Sequence, residues 1–270
     1  MQYPVVWHAG TAAVRCGLLL GVLLLLTGCA ARVPGSITLP EQRRQEILVG
    51  WRQMLARQCP ATVEADLTLR WESIAEKGAV PARLLMRERA CKVSVVTPLG
   101  QPLFLFSTDG AWFRLARVQD SRGFEGSTAS QAWQRYLPSG FSHADLGSWL
   151  TGQPDPLRPV DDVRLDEASG HAWILYHGPA GRERFLFDDG PGLVLRRLLT
   201  DGDDKVLLEA NYAAHTAVNG CFWPREIRVL GGGFGTELSL RVKQWWFPAQ
   251  VEDAALSFAF PPGYVVELLP

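Results

Sequence analysis

The chain has only five cysteines and three methionines in 270 residues, and none of the cysteines falls into a Cys-x-x-Cys or Cys/His metal spacing. That excludes zinc-ribbon and dithiol-redox motifs. The sequence also lacks a Gly-x-Ser-x-Gly elbow, a His-Glu-x-x-His pair and a phosphate-cradling glycine pattern. Gly231-Gly232-Gly233 has no helix after it and reads as a hairpin tip. His143, His171, His177 and His215 stand singly, so each reads as a surface or satisfied polar residue. The acidic run Asp201–Asp204, and the pairs Asp161-Asp162 and Asp188-Asp189, read as solvated turns rather than cation sites. Basic residues number 27 against 28 acidic, without a Lys/Arg stripe interleaved with aromatics, so no nucleic-acid partner is expected. No metal and no cofactor is expected. One route to an enzyme is left: a site assembled from distant residues, for instance His177 with Asp188 and a serine.

Long apolar runs are equally scarce. The longest, ending at Leu26, spans about a dozen residues and follows Arg15, with no acidic residue before it. A spanning helix needs about 20 apolar residues and a signal-peptide core about 7–15. The run closes on Leu26-Thr27-Gly28-Cys29-Ala30. This segment resembles the lipobox of bacterial lipoproteins, in which the cysteine is acylated and becomes the mature N-terminus. The resemblance implies a signal peptide over 1–28, lipidation at Cys29 and a short tether over 29–40. Alanine after the lipidated cysteine is consistent with outer-membrane sorting. The alternatives are an ordinary cleaved signal or a buried core helix. Removing residues 1–28 leaves 242 residues and takes away one basic and no acidic residue, so the mature net charge is −2. That length suffices for one large β domain or two small ones.

What is abundant is apolar and aromatic surface: hydrophobic residues make up 47% of the chain, with ten tryptophans and twelve phenylalanines. Ile47, Leu48, Trp51 and Leu55 share one stripe at helical period, so Glu41–Gln58 is predicted as a helix that Pro60 stops. Val63, Ala65, Leu67, Leu69 and Trp71 then alternate with polar residues, which predicts a strand with one buried face. Ile74–Pro81 reads as a turn and Ala82–Val96 as one long strand. Leu103–Phe106 and Ala111–Val118 follow around Thr97-Pro98-Leu99-Gly100 and Thr108-Asp109-Gly110 turns. Two helical pieces are predicted at Ser127–Leu137 and Ser142–Leu150, the second with Ser142 as N-cap and Asp145 three residues on. Strands resume at Ala172–His177, Arg184–Phe187, Leu193–Leu199, Val206–Tyr212, Glu226–Leu230, Glu237–Val242, Leu256–Phe260 and Tyr264–Leu268. The total is about eleven strands with no repeat and no interior linker. Both faces look apolar at Leu103–Phe106 and Leu193–Leu195, so one face meets helices or a ligand, or else the other half of a filled sandwich. Cys59, Cys91 and Cys221 read either as three buried thiols or as one bridge, Cys59–Cys91 or Cys59–Cys221, with one cysteine left over.

The stretch Val93–Asp155 carries the most information. It runs as an apolar strand, a Pro98-Leu99-Gly100 turn, a second strand, two helices and then Leu146-Gly-Ser-Trp149-Leu150-Thr-Gly152-Gln-Pro154. Together with Val206–Tyr212 and Val218–Ile227 this order resembles the outer-membrane lipoprotein-receptor family LolB and the broader LolA/LolB-like superfamily. The resemblance covers most of Glu41–Leu268. The chain is longer than is usual for LolB, around 75–81 and 153–166.

The resemblance implies a mainly β fold over 41–270: an unclosed antiparallel β-barrel with helices on its concave face and an apolar hollow for acyl chains. Trp71, Leu105, Trp133 and Trp149 are the expected lining. In the family, the leucine of the Pro-Leu-Gly turn projects into solvent and helps deliver a lipoprotein to the membrane. The matching turn is Pro98, Leu99 and Gly100. The implied partners are a membrane reached through the lipid anchor, lipoproteins or their acyl chains, and a LolA-like periplasmic carrier, with the protein itself a monomer on the periplasmic face of the outer membrane. Such transfer needs no titrating group, which agrees with the missing catalytic constellation. A non-catalytic envelope scaffold or a glycolipid-binding lipoprotein of the same fold is the alternative.

Overall fold

The computed structural model describes residues 33–73, 77–97, 99–131, 133, 146–178, 181–231 and 237–270. In chain order the elements are β1 (Ser36–Thr38), α1 (Glu41–Leu55), β2 (Thr62–Glu72), β3 (Lys77–Arg87), β4 (Ala90–Val96), β5 (Pro102–Thr108), β6 (Trp112–Arg117) and β7 (Arg122–Ser127). There follow α2 (Leu146–Thr151), β8 (Asp162–Asp166), β9 (Ala172–Gly178), β10 (Gly181–Asp188), β11 (Leu193–Thr200) and β12 (Val206–Ala213). The chain ends with β13 (Thr216–Val218), β14 (Cys221–Trp223), β15 (Glu226–Gly231), β16 (Glu237–Trp246), a 3-10 turn (Asp253–Leu256) and β17 (Val265–Leu269).

Among the described residues, fifteen strands form one open sheet in the order β1-β8-β9-β10-β11-β12-β15-β16-β2-β3-β4-β5-β6-β7-β17, and β13-β14 is a separate hairpin. Every pair in the sheet is antiparallel except β17 beside β7. Laid flat, six strand spacings of about 4.8 Å would hold β11 and β4 roughly 29 Å apart. Yet α2, only six residues long, packs against β4 and bonds Arg197 of β11 through Ser148. The sheet is therefore curled, and α1 and α2 lie inside the curl with Ile47, Leu48, Trp51, Trp149 and Leu150 in that same cluster. A sheet of this width curls because each strand is twisted against the next and the apolar face must leave water.

Several expectations are corrected. The long strand Ala82–Val96 is a hairpin: β3 and β4 reverse at Glu88, whose φ of 54° lies in the left-handed region. No Gly, Asn or Pro marks that turn, so its chemistry was silent. Strands β7 and β8 were not anticipated. The expected spacer contributes β1, which pairs with β8 through Ser36↔Asp166. The expected strand Leu256–Phe260 is instead the 3-10 turn and a strap along the outer face of the sheet, where Lys92 Nζ reaches the carbonyls of Ala255 and Ser257 at 3.0 Å. The helix expected at Ser127–Leu137 and the cap at Ser142 fall largely outside the described residues. So do the signal segment and Cys29.

Candidate functional site

Parity along the strands decides which side chains face the curl. Ala82, Leu84 and Met86 pair with Val95, Val93 and Cys91, and these in turn pair with Phe104, Phe106 and Thr108. The same face continues through Leu115 and Phe113 of β6 to Phe124 of β7. In the other half it holds Ala172, Ile174 and Tyr176 with Phe187, Phe185 and Glu183.

Under α1 this inner face is solid. Trp51 is fully buried, stacks edge-on against Phe187 at 5.0 Å and donates its indole N–H to the Tyr176 hydroxyl at 2.8 Å. Burial pushes the Tyr176 phenol up to about 12, against the pull of the Trp51 bond, so it stays neutral. α2 fills the neighbouring space. Trp149 is 0% exposed, and its carbonyl accepts the Tyr212 hydroxyl at 2.8 Å. Burial also raises the Tyr212 phenol, opposed by the nearby Arg197 cation.

A charged group lies within this apolar packing. Arg197, 4% exposed, faces inward from β11. It donates to the Ser148 hydroxyl at 2.7 Å and to Glu183 at 3.2 Å, while Arg158 reaches the same carboxylate at 2.9 Å. Two guanidinium groups thus share one carboxylate, and among the described residues no group of three or more His, Cys, Asp or Glu side chains could hold a metal ion.

Towards the far edge of the sheet the inner face carries a second, smaller cluster. Phe106, Phe113, Phe124, Trp133 and Leu269 are buried there, and Phe104, Leu115 and Leu146 are only partly covered. Trp133 packs 5.0 Å from Phe113 and 5.9 Å from Phe106. Arg117 and Arg122, direct cross-strand partners, both lie over the Phe124 ring, at 5.4 and 5.3 Å. They form the polar lip of the patch on the rim that also carries the β4–β5 turn.

That turn sets Leu99 out from the fold. Gly100, at φ 80°, donates its N–H to Thr97 O at 2.9 Å, and Thr97 and Gln101 close the loop at 2.7 Å. Leu99 is 87% exposed. A leucine held outward by a hydrogen-bonded turn contributes nothing to the core, so its hydrophobicity is free for another surface. Pro98 lies outside the described residues.

The expected lining residues do not converge. Trp149 belongs to the main core and Trp133 to the second cluster, with Leu146 touching both. Trp71 is half-buried at the rim, its ring lying over Gly78 of the next strand. Leu105 is a correction: it pairs with Ser94 and Ala116 and so points to the outer face, away from Phe104 and Phe106. A Leu-Phe-Leu-Phe run does not declare its own parity. Phe104 was missed for the same reason, Phe124 because β7 had no sequence signal, and Leu269 because its pairing with β7 is distant in sequence. The pair His177 and Asp188, which a hydrolase would need, is kept apart. His177 sits 3.1 Å from Asp161, and its cross-strand partner Arg182 is six residues, about 20 Å, from Asp188 along β10.

The cysteines resolve as one bridge, Cys59–Cys221, with a Cα separation of 5.6 Å; Cys91 is a buried thiol in β4. Beside the bridge, at the rim opposite Leu99, lies a partly open cavity of about 220 Å³ between the end of α1, the segment after α2, the β10–β11 turn and the β13–β14 hairpin. No helix of the described residues is long and apolar enough to cross a membrane.

No protein-family model matches the sequence, and no curated protein matches it. Solved structures do match. A domain assigned to outer-membrane lipoprotein sorting from Vibrio parahaemolyticus is 14% identical, with a TM-score of 0.55 over 80% of this chain and 97% of its own. A LolA superfamily protein from Nitrosomonas europaea is 12% identical, with a TM-score of 0.50 over the same shares. A DUF1329 family protein from Desulfovibrio piger is 11% identical, with a TM-score of 0.52 over 78% of this chain and 97% of that one. At these identities the likeness is one of fold: the chain carries a LolA/LolB-like fold, a mainly β, unclosed sheet curled around its helices.

Proposed function

We propose that this protein is a lipoprotein of the bacterial outer membrane, tethered through acyl chains on Cys29, and that it binds the acyl chains of other lipoproteins during their localisation. The observation that carries the reading is Leu99, 87% exposed on the rim where the inner face offers the partly covered Phe104 and Leu115 beside the buried Phe124. A chain carrying acyl groups into water would lose about 0.8 kcal/mol per methylene. An apolar patch beside an apolar tip gives such chains a step between carrier and bilayer. Such a transfer site needs no acid or base. Trp133 belongs to this patch. Trp71, at the same rim, would line its mouth.

The test is photo-crosslinking from positions 99 and 115 in cells. Capture of acylated lipoproteins, and of a LolA-like carrier at 99, is the expected result; capture of neither would end the proposal. Leu99→Glu should leave folding unchanged while lowering lipoprotein transfer into liposomes by tenfold or more.

The solid packing around Trp51 and Trp149 favours a second reading, a non-catalytic scaffold or glycolipid-binding lipoprotein of the same fold. Depletion separates the two. Loss of a receptor would mislocalise many lipoproteins, and loss of a scaffold would disturb one assembly.

A further inference from the structure

The cavity beside the Cys59–Cys221 bridge is built from segments distant in sequence and cross-tied to one another. Arg57, just past α1, donates to the carbonyls of Gly192 and Pro191 at 2.9 and 3.1 Å, and its guanidinium lies 5.0 Å over the Phe222 ring. The bridge joins the same two regions, α1 and the β13–β14 hairpin. A cavity with walls fixed this way exists before any ligand arrives, which lowers the ordering cost of binding.

Its lining specifies a chemistry. Met54, Pro154, Leu193 and Phe222 give apolar and ring-stacking surface. No carboxylate lines it, and the one cation, Arg57, has its guanidinium committed to the two carbonyls and the Phe222 face. The Thr151 hydroxyl already donates to the Gly147 carbonyl at 2.9 Å, so two uncharged polar side chains remain. The Gln153 side chain also lines the cavity, and no hydrogen bond from its amide occurs among the described residues. His215 is half-buried, and burial holds its pKa below the ordinary histidine value, so it is neutral near pH 7. The neighbouring Val194 backbone acts the other way, and burial outweighs it. A neutral imidazole carries one N–H and one nitrogen lone pair, so it can accept from a hydroxyl.

Volume sets the size. An apolar cavity of about 150 Å³ holds benzene, so the 220 Å³ here admits a ring carrying a short substituent, about nine non-hydrogen atoms. We propose that this cavity is a binding site for a small uncharged ligand with a flat apolar body and one hydroxyl donor, of the phenol type, recognised by His215 and Gln153. It lies at the rim opposite Leu99 and does not depend on whether the inner face carries acyl chains.

Titration calorimetry of the mature, disulfide-intact chain tests this with three probes of one shape: 4-ethylphenol, its methyl ether and 4-ethylbenzoate. The phenol should bind with one-to-one stoichiometry, and the ether about 5–10-fold more weakly, the value of one hydrogen bond. The carboxylate should bind more weakly still. Leu193→Trp, which fills the cavity, should abolish binding of all three. His215→Leu should bring phenol and ether to equal affinity while the apolar contribution survives. Gln153→Ala, at a side chain with no bonds to lose, guards against a folding artefact and should weaken phenol and ether alike, because its amide donates to an oxygen that both possess. Equal binding of phenol and ether to the unaltered protein, preference for the carboxylate, or binding that survives Leu193→Trp in a folded variant would each overturn the proposal.

Discussion

The Arg197 guanidinium lies 4.0 Å over the Trp149 ring, inside the curl of the sheet and almost out of reach of water. It also covers Phe185 at 4.9 Å and bonds Ser148 and Glu183. One side chain of β11 thus fixes the position of α2. A desolvated cation over tryptophan is worth about 2 kcal/mol, and a hydrogen bond to a charged group about 1.5–3. Arg197→Leu should destabilise the fold by about 2–4 kcal/mol, less than a fully orphaned ion pair would cost, because Arg158 still holds Glu183. Urea unfolding of Arg197→Leu, Trp149→Phe and the double variant should show a coupling of about 1 kcal/mol. Additive losses would mean the contact is incidental.

Much of this architecture was legible before the structure. Period-two alternation placed β2, because a strand with one wet face writes its burial into its sequence, and apolar runs bounded by turn residues placed β5, β6, β9 to β12, β15 and β16. The helix stripe of Ile47, Leu48 and Trp51 is the buried side of α1. What could not be read was anything set by partner rather than pattern. β17 is parallel to β7, a pairing across more than a hundred residues with no local signal. Leu105 was placed on the wrong face because its neighbours are apolar on both sides. Arg197, a buried cation inside the curl, looks in sequence like its neighbour Arg196, which pairs with Glu209 on the opposite face.

The Cys59–Cys221 bridge closes a loop of 162 residues. A cross-link that long removes much freedom from the unfolded chain, so Cys59→Ser with Cys221→Ser should cost about 2–5 kcal/mol. The loss should appear as a lower melting temperature in calorimetry, and adding a dithiol reductant to the unaltered protein should reproduce it. A reductant-insensitive melting point would mean the two cysteines are unpaired in solution.

At Gly78 the neighbouring strand allows no side chain. A Cβ there would fall within the Trp71 ring, its direct cross-strand partner. Gly78→Val must push the indole off the sheet, and such overpacking costs about 1–3 kcal/mol. Trp71 is only half-buried, so it has somewhere to go. The expected signature is a red shift in tryptophan emission that disappears in a Trp71→Phe background. If the shift persists there, another indole has moved.

Asp166 links stability to acid. It is buried at the end of β8, where burial alone would raise its pKa, yet hydrogen bonds from the Ser169 hydroxyl, the Trp173 indole and the backbone of Ser169 and Ala168 together hold it below the ordinary carboxylate value. A carboxyl that is more acidic folded than unfolded stabilises the fold above its unfolded pKa, near 3.9, and that contribution fades as pH falls through the lower folded value. Denaturant midpoints should therefore decline on acidification from pH 5 towards pH 2. Asp166→Asn keeps the shape but loses the charge. It should be less stable than the unaltered protein at pH 7, and the gap should narrow as the pH drops below 4. A gap that stays constant across that range would place the acid sensitivity on other carboxylates and leave Asp166 a purely structural hydrogen-bond acceptor.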